Sequence, residues 1–325
     1  MCGFVGISNL KEDITNCKNI ITKMNDTLSK RGPDEQGYYI NNHIALGHKR
    51  LIVLDPDGGK QPMIQRYYEN EYVIAYNGQI YNTKELRDTL IENGFTLEGH
   101  SDTEVLLKSY IHFGNDVIHH LNGIFAFAIW NQNKQELFMA RDHLGVKPLF
   151  YTLKDDTLLF ASEIKALLVH PFVECVLDKQ GFSELFGIGP SHTPGTTVFK
   201  DIFELKPAHF AIFNKNGLKI EQYWKLISKE HTDSFGTTCD KIKFLLQDSI
   251  TRQLISDKPL CTFLSGGLDS SIITKFAADY RKKNDLEPLD TYSIDYVDND
   301  KNFVKSDFQP NSDNYYISLM NHNSY

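Results

Sequence analysis

Cysteine is scarce in this chain: five among 325 residues, namely Cys2, Cys17, Cys175, Cys239 and Cys261. No two stand at a Cys-x-x-Cys spacing and their number is odd. That indicates neither a disulfide framework nor a cysteine-held zinc site, and it fits a reducing cytoplasm. Positive charge is also in deficit. Lys and Arg number 34 against 42 Asp and Glu, a net charge of −8, and no basic stripe with interleaved aromatics offsets it. Capture of nucleic acid or of an anionic membrane is therefore not expected. Long apolar runs are missing: nothing approaches the ~20 residues of a membrane span, and no charged-then-apolar leader precedes Cys2. The twelve histidines are scattered. Their one adjacent pair, His119-His120, lies in a helical-looking stretch where neighbours point apart, so no metal site is expected.

What remains is a soluble composition, 41% hydrophobic and 23% charged, with enough length for two domains. The first two-thirds reads as short β-runs: Phe4–Ser8, Gly37–Ile40, Ile44–Leu54, Tyr72–Tyr76, Phe125–Asn131, Glu136–Arg141, Leu149–Tyr151, Leu158–Ser162, Thr197–Leu205 and His209–Asn214. Helical patterns interrupt them at Cys17–Lys30, Thr83–Asn93, Asp102–Phe113 and Ile164–Val169. Ser101, with Glu104 three residues on, is a capping-box signal for the third. Paired strands and a few amphipathic helices in blocks imply an α+β layered body. Trp224–Phe235 turns polar and loses its period, which places a boundary there. Beyond it, helix Thr237–Arg252, strand Pro259–Leu264, helix Ser271–Lys283 and strand Thr291–Tyr296 predict a βαβ unit with a parallel sheet. After Val297 little can pack until Tyr315–Met320.

Cys2 is the most informative residue. A small second residue allows removal of Met1, which would give Cys2 a free α-amine beside its thiol. The two titrate near ~8 and ~8.5, so one terminal residue holds both a nucleophile and its base. A thiol attacking an amide also needs an oxyanion hole. Asn77 offers a side-chain N–H and Gly78 an unobstructed backbone N–H, although Asn-Gly is equally the signature of a plain hairpin turn. Arg50 has the fork to clamp a carboxylate with two parallel hydrogen bonds, or it is a solvated strand end. Asp102 suits a substrate ammonium, or simply a helix start.

Together these residues resemble a known family. Cys2-Gly3, Arg31-Gly32-Pro33-Asp34, Gly47-His48-Lys49-Arg50-Leu51, Gln61-Pro62-Met63, Tyr76-Asn77-Gly78-Gln79-Ile80-Tyr81-Asn82, Ser101-Asp102-Thr103-Glu104 and Arg141-Asp142-His143-Leu144-Gly145-Val146-Lys147-Pro148-Leu149 are similar to the class II glutamine amidotransferase domain. With Phe160-Ala161-Ser162-Glu163-Ile164-Lys165-Ala166-Leu167, their order matches glutamine-hydrolysing asparagine synthetases. The resemblance implies an N-terminal-nucleophile αββα sandwich over 2–225. It implies Cys2 as nucleophile, Asn77 and Gly78 as oxyanion hole, Arg50 on the glutamine carboxylate and Asp102 on its ammonium. Backbone groups of Leu51, Ile52, Val53 and Leu54 would line the same pocket. Two positions depart from the family: Gln79 stands where a Glu is usual, and Lys30 where a His is. Loss of one charge-assisted hydrogen bond at Gln79 would weaken glutamine binding by ~1 kcal/mol.

A second motif, Leu264-Ser265-Gly266-Gly267-Leu268-Asp269-Ser270-Ser271, follows a strand and opens a helix, a setting that favours an anion. It lacks the Gly-Lys-Ser/Thr of ATPase phosphate loops. It resembles the pyrophosphate loop of ATP pyrophosphatases, which implies ATP with Mg²⁺, aspartate activated as aspartyl-AMP, and adenosine contacts at Leu264 and Ile294. The expected domain, 237–325, holds one βαβ crossover where nucleotide domains usually have two halves. A truncated synthetase with an intact glutaminase is therefore expected, its exposed apolar faces giving poor solubility or an altered homodimer. Two other readings stand beside it: an amidotransferase with a different ATP-activated carboxylate, and a non-catalytic glutamine or nucleotide sensor.

Overall fold

The computed structural model describes residues 1–307 and 310–322, so residues 308–309 and 323–325 of the expected second domain lie outside it. The chain divides into two compact units, Met1–Ser228 and Lys229–Tyr325. The division falls inside the polar Trp224–Phe235 stretch.

Among the described residues the first unit has twelve strands and five α-helices. They run β1 (Gly3–Asn9), α1 (Lys18–Asp26), β2 (Glu35–Ile40), β3 (Ile44–Arg50), β4 (Met63–Tyr67), β5 (Asn70–Ile80), α2 (Thr83–Glu92), α3 (Asp102–Phe113), β6 (Gly123–Asn131), β7 (Glu136–Arg141), β8 (Phe150–Lys154), β9 (Thr157–Ala161), α4 (Ile164–Leu168), α5 (Lys179–Gly187), β10 (Phe203–Glu204), β11 (His209–Asn214) and β12 (Gly217–Gln222). They form two six-stranded sheets, ordered β10-β8-β9-β1-β3-β2 and β12-β11-β7-β6-β5-β4. Neighbouring strands in both are antiparallel.

Three apolar layers define a sandwich. Phe4, Leu46 and Phe160 of the first sheet meet Val73, Ala126, Trp130 and Met139 of the second. The other face of the first sheet, with Val5, Ile7, Ala45 and Leu159, packs on Ile21 and Met24 of α1, on Leu28 in the turn after it and on Leu167 of α4. The outer face of the second sheet, with Ile74, Phe127 and Phe138, packs on α2 and α3 through Leu86, Leu90, Leu106 and Tyr110. This is the expected α+β, αββα arrangement. It explains why β1 is buried along its whole length: alternate side chains enter different cores. Gly6 is required where the Phe160 ring crosses the strand, since a Cβ there would lie 2.0 Å from it.

Several elements differ from expectation. The strand expected over Ile44–Leu54 stops at Arg50, because the chain then curls around that residue's guanidinium. The run Tyr72–Tyr76 extends to Asn70–Ile80, since β6 pairs with it over nine residues. Asn77 and Gly78 are thus mid-strand, opposite Ala126 and Phe125, and the hairpin-turn reading is overturned. Thr197–Leu205 supplies only the two-residue β10. Strands β4 and β12 and helix α5 were not foreseen. The box at α3 is half formed: Ser101 Oγ accepts from Thr103 N–H at 3.1 Å. Glu104 instead accepts from the Glu98 and Gly99 N–H groups, and the Ser101 N–H donates to Asp55.

The second unit contains α6 (Phe235–Arg252), β13 (Cys261–Phe263), α7 (Leu268–Lys283), β14 (Asp290–Tyr292), α8 (Asn299–Asn302) and α9 (Asp313–His322). Strands β13 and β14 pair in parallel, joined by α7, as the βαβ pattern predicts. Large apolar side chains remain exposed on it, including Phe244, Leu245, Phe263 (73%), Tyr292 and Ile294 (78%). No helix among the described residues is long and apolar enough to cross a membrane.

Candidate active site

The edge of β5 sets up the site. Strand β4 pairs with β5 only as far as Met63 opposite Ile74, so beyond Ile74 that edge has no neighbouring strand among the described residues. In an antiparallel ladder successive residues turn their backbone groups to opposite sides. Tyr76, Gly78 and Ile80 therefore face the bare edge. Side chains take over at two of the three. Tyr76 N–H donates to Gln61 Oε1 at 2.7 Å and its carbonyl accepts from His48 Nε2 at 3.0 Å. Ile80 N–H donates to Asp102 Oδ2 at 3.1 Å. The same alternation directs the Gly78 N–H to the edge between them. A side chain at 78 is impossible, because a Cβ would lie 2.3 Å from the Ile124 carbonyl.

A cavity of about 210 Å³ opens at this edge, lined by Cys2, Arg50, Leu51, Val53, Leu54, Asn77, Gly78, Gln79 and Asp102. Of the expected glutamine-site residues, only Ile52 is not among its walls; the Ile52 N–H donates to Asp34. Cys2 Sγ sits against the Leu51 peptide, 3.4 Å from its N and 3.6 Å from its O. The Cys2 carbonyl is held by Arg31 Nε at 2.8 Å. Asn77 is buried (1% exposed), yet its Nδ2 has no hydrogen-bond partner among the described residues. A buried donor left unmet costs about 1–3 kcal/mol, so it calls for a ligand.

The electrostatics are shaped by dehydration. Burial pushes the Cys2 thiol up, opposed by the Leu51 N–H. Burial also lowers the terminal amine, here that of Met1, and raises the Asp102 carboxyl, whose Oδ2 accepts the Tyr76 hydroxyl at 2.8 Å. His48 is wholly buried, which depresses it to about 4. Facing a carbonyl, its Nε2 must carry the proton, which makes Nδ1 bare; Nδ1 has no partner among the described residues.

Arg50 departs from expectation. Its Nη1 donates to Glu35 (2.6 Å) and the Pro56 carbonyl (2.8 Å), its Nη2 to the Leu54 (3.1 Å) and Asp55 (2.6 Å) carbonyls. Both terminal nitrogens are engaged by Glu35 of β2 and by the carbonyls of residues 54–56, so the structure does not present an open two-pronged clamp. Sequence reasoning passed over Tyr76, Gln61 and Lys147 as individual site residues, although all three line the cavity. Lys147 reaches Met1 Sδ at 3.1 Å. Each stood inside a motif already noted, but no feature of the motif showed which way its side chain points.

Residues 1–224 match the family model described as glutamine amidotransferase domain. The chain belongs to that family. Behind this amidotransferase domain, residues 241–317 match the asparagine synthase model. Asparagine synthetase (glutamine-hydrolyzing) 3 of Bacillus subtilis is 52% identical over 320 residues, which cover 98% of this chain and 52% of that protein. Asparagine synthetase B of Escherichia coli is 30% identical over 298 residues, covering 88% and 47%. The chain thus spans about half the length of such curated relatives. The solved glutamine phosphoribosylpyrophosphate amidotransferase of B. subtilis aligns with a TM-score of 0.52 at 19% identity, covering 94% of this chain and 69% of that one. It shares the fold.

In the second unit the glycine-rich turn precedes the 16-residue helix α7, with Gly267 as its N-cap. Gly266 adopts φ +77°. Ser265 and Ser270 hydroxyls lie 3.0 Å apart, and Ser265, Gly267 and Asp269 are exposed while Ser271 is partly so. Exposed hydroxyls and helix N–H groups fit a phosphate chain. Leu264 is buried, its N–H donates to the Tyr292 carbonyl and its carbonyl accepts the Ser293 hydroxyl. Ile294 alone of the two presents its side chain outward.

Proposed function

We propose that the amidotransferase domain hydrolyses glutamine to glutamate and ammonia at Cys2 once Met1 has been removed. The observation that carries this is the unpartnered, buried Asn77 amide in the cavity that Cys2 also lines. The Cys2 α-amine takes the thiol proton and the sulfur attacks the side-chain carbonyl of glutamine. The carbonyl electrons move to oxygen, which Asn77 Nδ2 and the Gly78 N–H receive. Collapse of that intermediate expels ammonia, protonated by the α-ammonium, and leaves a γ-glutamyl thioester. Water activated by the same amine then releases glutamate. Arg50 contributes positive charge and holds the 51–56 loop that walls the pocket, while Asp102 supplies the anion for the substrate ammonium.

The second unit is read as the ATP-binding part of an asparagine synthetase. Ser265 to Ser271 would hold the phosphates, and bound ATP with Mg²⁺ would supply the activation that turns the aspartate carboxylate into an acceptor for ammonia. A cytoplasmic location and a homodimer accord with this reading. The test is to measure glutamate release and asparagine formation on the same polypeptide, with intact mass to follow Met1 and a thioester adduct. Glutamate release with Cys2 intact and none after Cys2→Ala supports the glutaminase; release unaffected by that change would refute it.

A further inference from the structure

The nucleophile and the oxyanion donors stand on different sheets. Cys2 leads into β1 of the first; Asn77 and Gly78 belong to β5 of the second. Their spacing is not fixed by either ladder. His48, on β3 opposite Phe4, reaches across the inter-sheet space and donates to the Tyr76 carbonyl. That carbonyl belongs to the peptide plane that includes the Asn77 nitrogen, so holding it sets the direction in which the chain enters Asn77. Gln61 holds the N–H of the same residue. The two side chains thus replace the strand that β4 does not supply. Packing alone does not account for an imidazole here. An apolar side chain of similar size would fill the volume without leaving a buried Nδ1 unpaired.

We infer that His48 is a positioning residue for glutamine hydrolysis, tying the oxyanion strand to the sheet that carries Cys2. The inference rests on the glutaminase reading above. The His48 hydrogen bond acts on where the Asn77 and Gly78 donors sit, so its loss affects the intermediate more than bound glutamine. Burial keeps the ring neutral, and the bond to Tyr76 therefore persists across the working pH range.

The experiment uses the full chain with Met1 removed and compares wild type with His48→Gln, His48→Met and His48→Asn. Glutamine extends an amide N–H to about the place of Nε2, methionine fills similar volume without a donor, and asparagine puts its amide near Nδ1 instead. Glutamate release gives kcat and KM; thermal unfolding gives the folded fraction. The expected result is a kcat about 10- to 100-fold lower for Met and Asn with KM within about 3-fold, and recovery to within about 5-fold for Gln. Should Met not fold, the contrast between Gln and Asn decides. Equal kcat in Gln and Asn, or a Met variant with wild-type kcat, overturns the inference while leaving the glutaminase intact. A wild type that releases no glutamate overturns the glutaminase reading itself, and this inference with it.

Discussion

Replacing Asn77 by alanine separates a catalytic role from a structural one. In most buried sites truncating an amide removes hydrogen bonds and destabilises the fold. Here the Nδ2 donor makes none to the described residues, so truncating that atom breaks no hydrogen bond within them. Alanine therefore mainly opens a little more of a cavity that already exists, and we expect a change in unfolding free energy within about 1 kcal/mol. Catalysis should respond quite differently. Loss of one oxyanion donor is worth about 2.7–4 kcal/mol of barrier, a fall of roughly 10²–10³ in kcat. Because the donor meets the intermediate rather than the ground state, KM should move little. Asn77→Asp is the isosteric control, since it keeps the volume but turns an acceptor toward the oxyanion, and it should be at least as damaging. Urea unfolding and steady-state glutamate release measure the two quantities. A variant destabilised by several kcal/mol with kcat within about 3-fold of wild type would show that Asn77 holds the strand together and that the oxyanion assignment is wrong.

Gly78→Ala should destabilise by about 3 kcal/mol or more and abolish turnover, since its Cβ meets the Ile124 carbonyl at 2.3 Å and Phe125 Cα at 2.8 Å; an unchanged melting temperature would contradict the geometry. Protein that retains Met1 should release no glutamate, its Cys2 nitrogen being a peptide amide, and intact-mass sorting of processed and unprocessed preparations checks this. His48 has a folded value near 4 against an ordinary 6.5, lowered by burial and by the Arg50 charge. Below pH 6.5 the unfolded chain takes up the proton first. The neutral ring's contribution is therefore full above 6.5 and is lost as pH falls toward 4, by up to ~3 kcal/mol. His48→Gln should flatten that part of a stability-versus-pH curve. Limited proteolysis should cut within 229–325 and leave a resistant product ending near Ser228, because apolar side chains of the second unit are exposed while the first has three closed cores.

Layering and the site's membership were legible from the residues, whereas directions were not. The β-runs at Phe4–Ser8, Phe125–Asn131 and Glu136–Arg141 could be read because branched and aromatic residues fill both faces of buried strands. Strand β5 was cut short because Asn77-Gly78 carries the local signature of a turn; nine pairs with β6 outweigh that preference. Arg50 was placed in the pocket, but nothing local shows that four acceptors from residues 35 and 54–56 converge on its nitrogens. Glu104 shows the same limit: its box partner was within reach, but the Glu98 and Gly99 N–H groups and Lys108 Nζ at 2.6 Å claim it. The tail Gly217–Gln222 did carry its alternation, Leu218-Lys219-Ile220-Glu221 after a glycine at φ +97°, and could have been read.

The place of β1 in its sheet has a consequence in time. It lies between β3 and β9, and β9 is made only when translation has passed residue 161. At roughly 5–20 residues per second that leaves on the order of ten seconds or more during which the leading methionine protrudes from an unclosed structure. An aminopeptidase at the ribosome exit must act within that interval or find the scissile peptide drawn into a half-covered pocket. Slower synthesis through residues 10–160 should thus raise the fraction of chains with a free Cys2 amine, and faster synthesis should leave more chains with that amine still blocked.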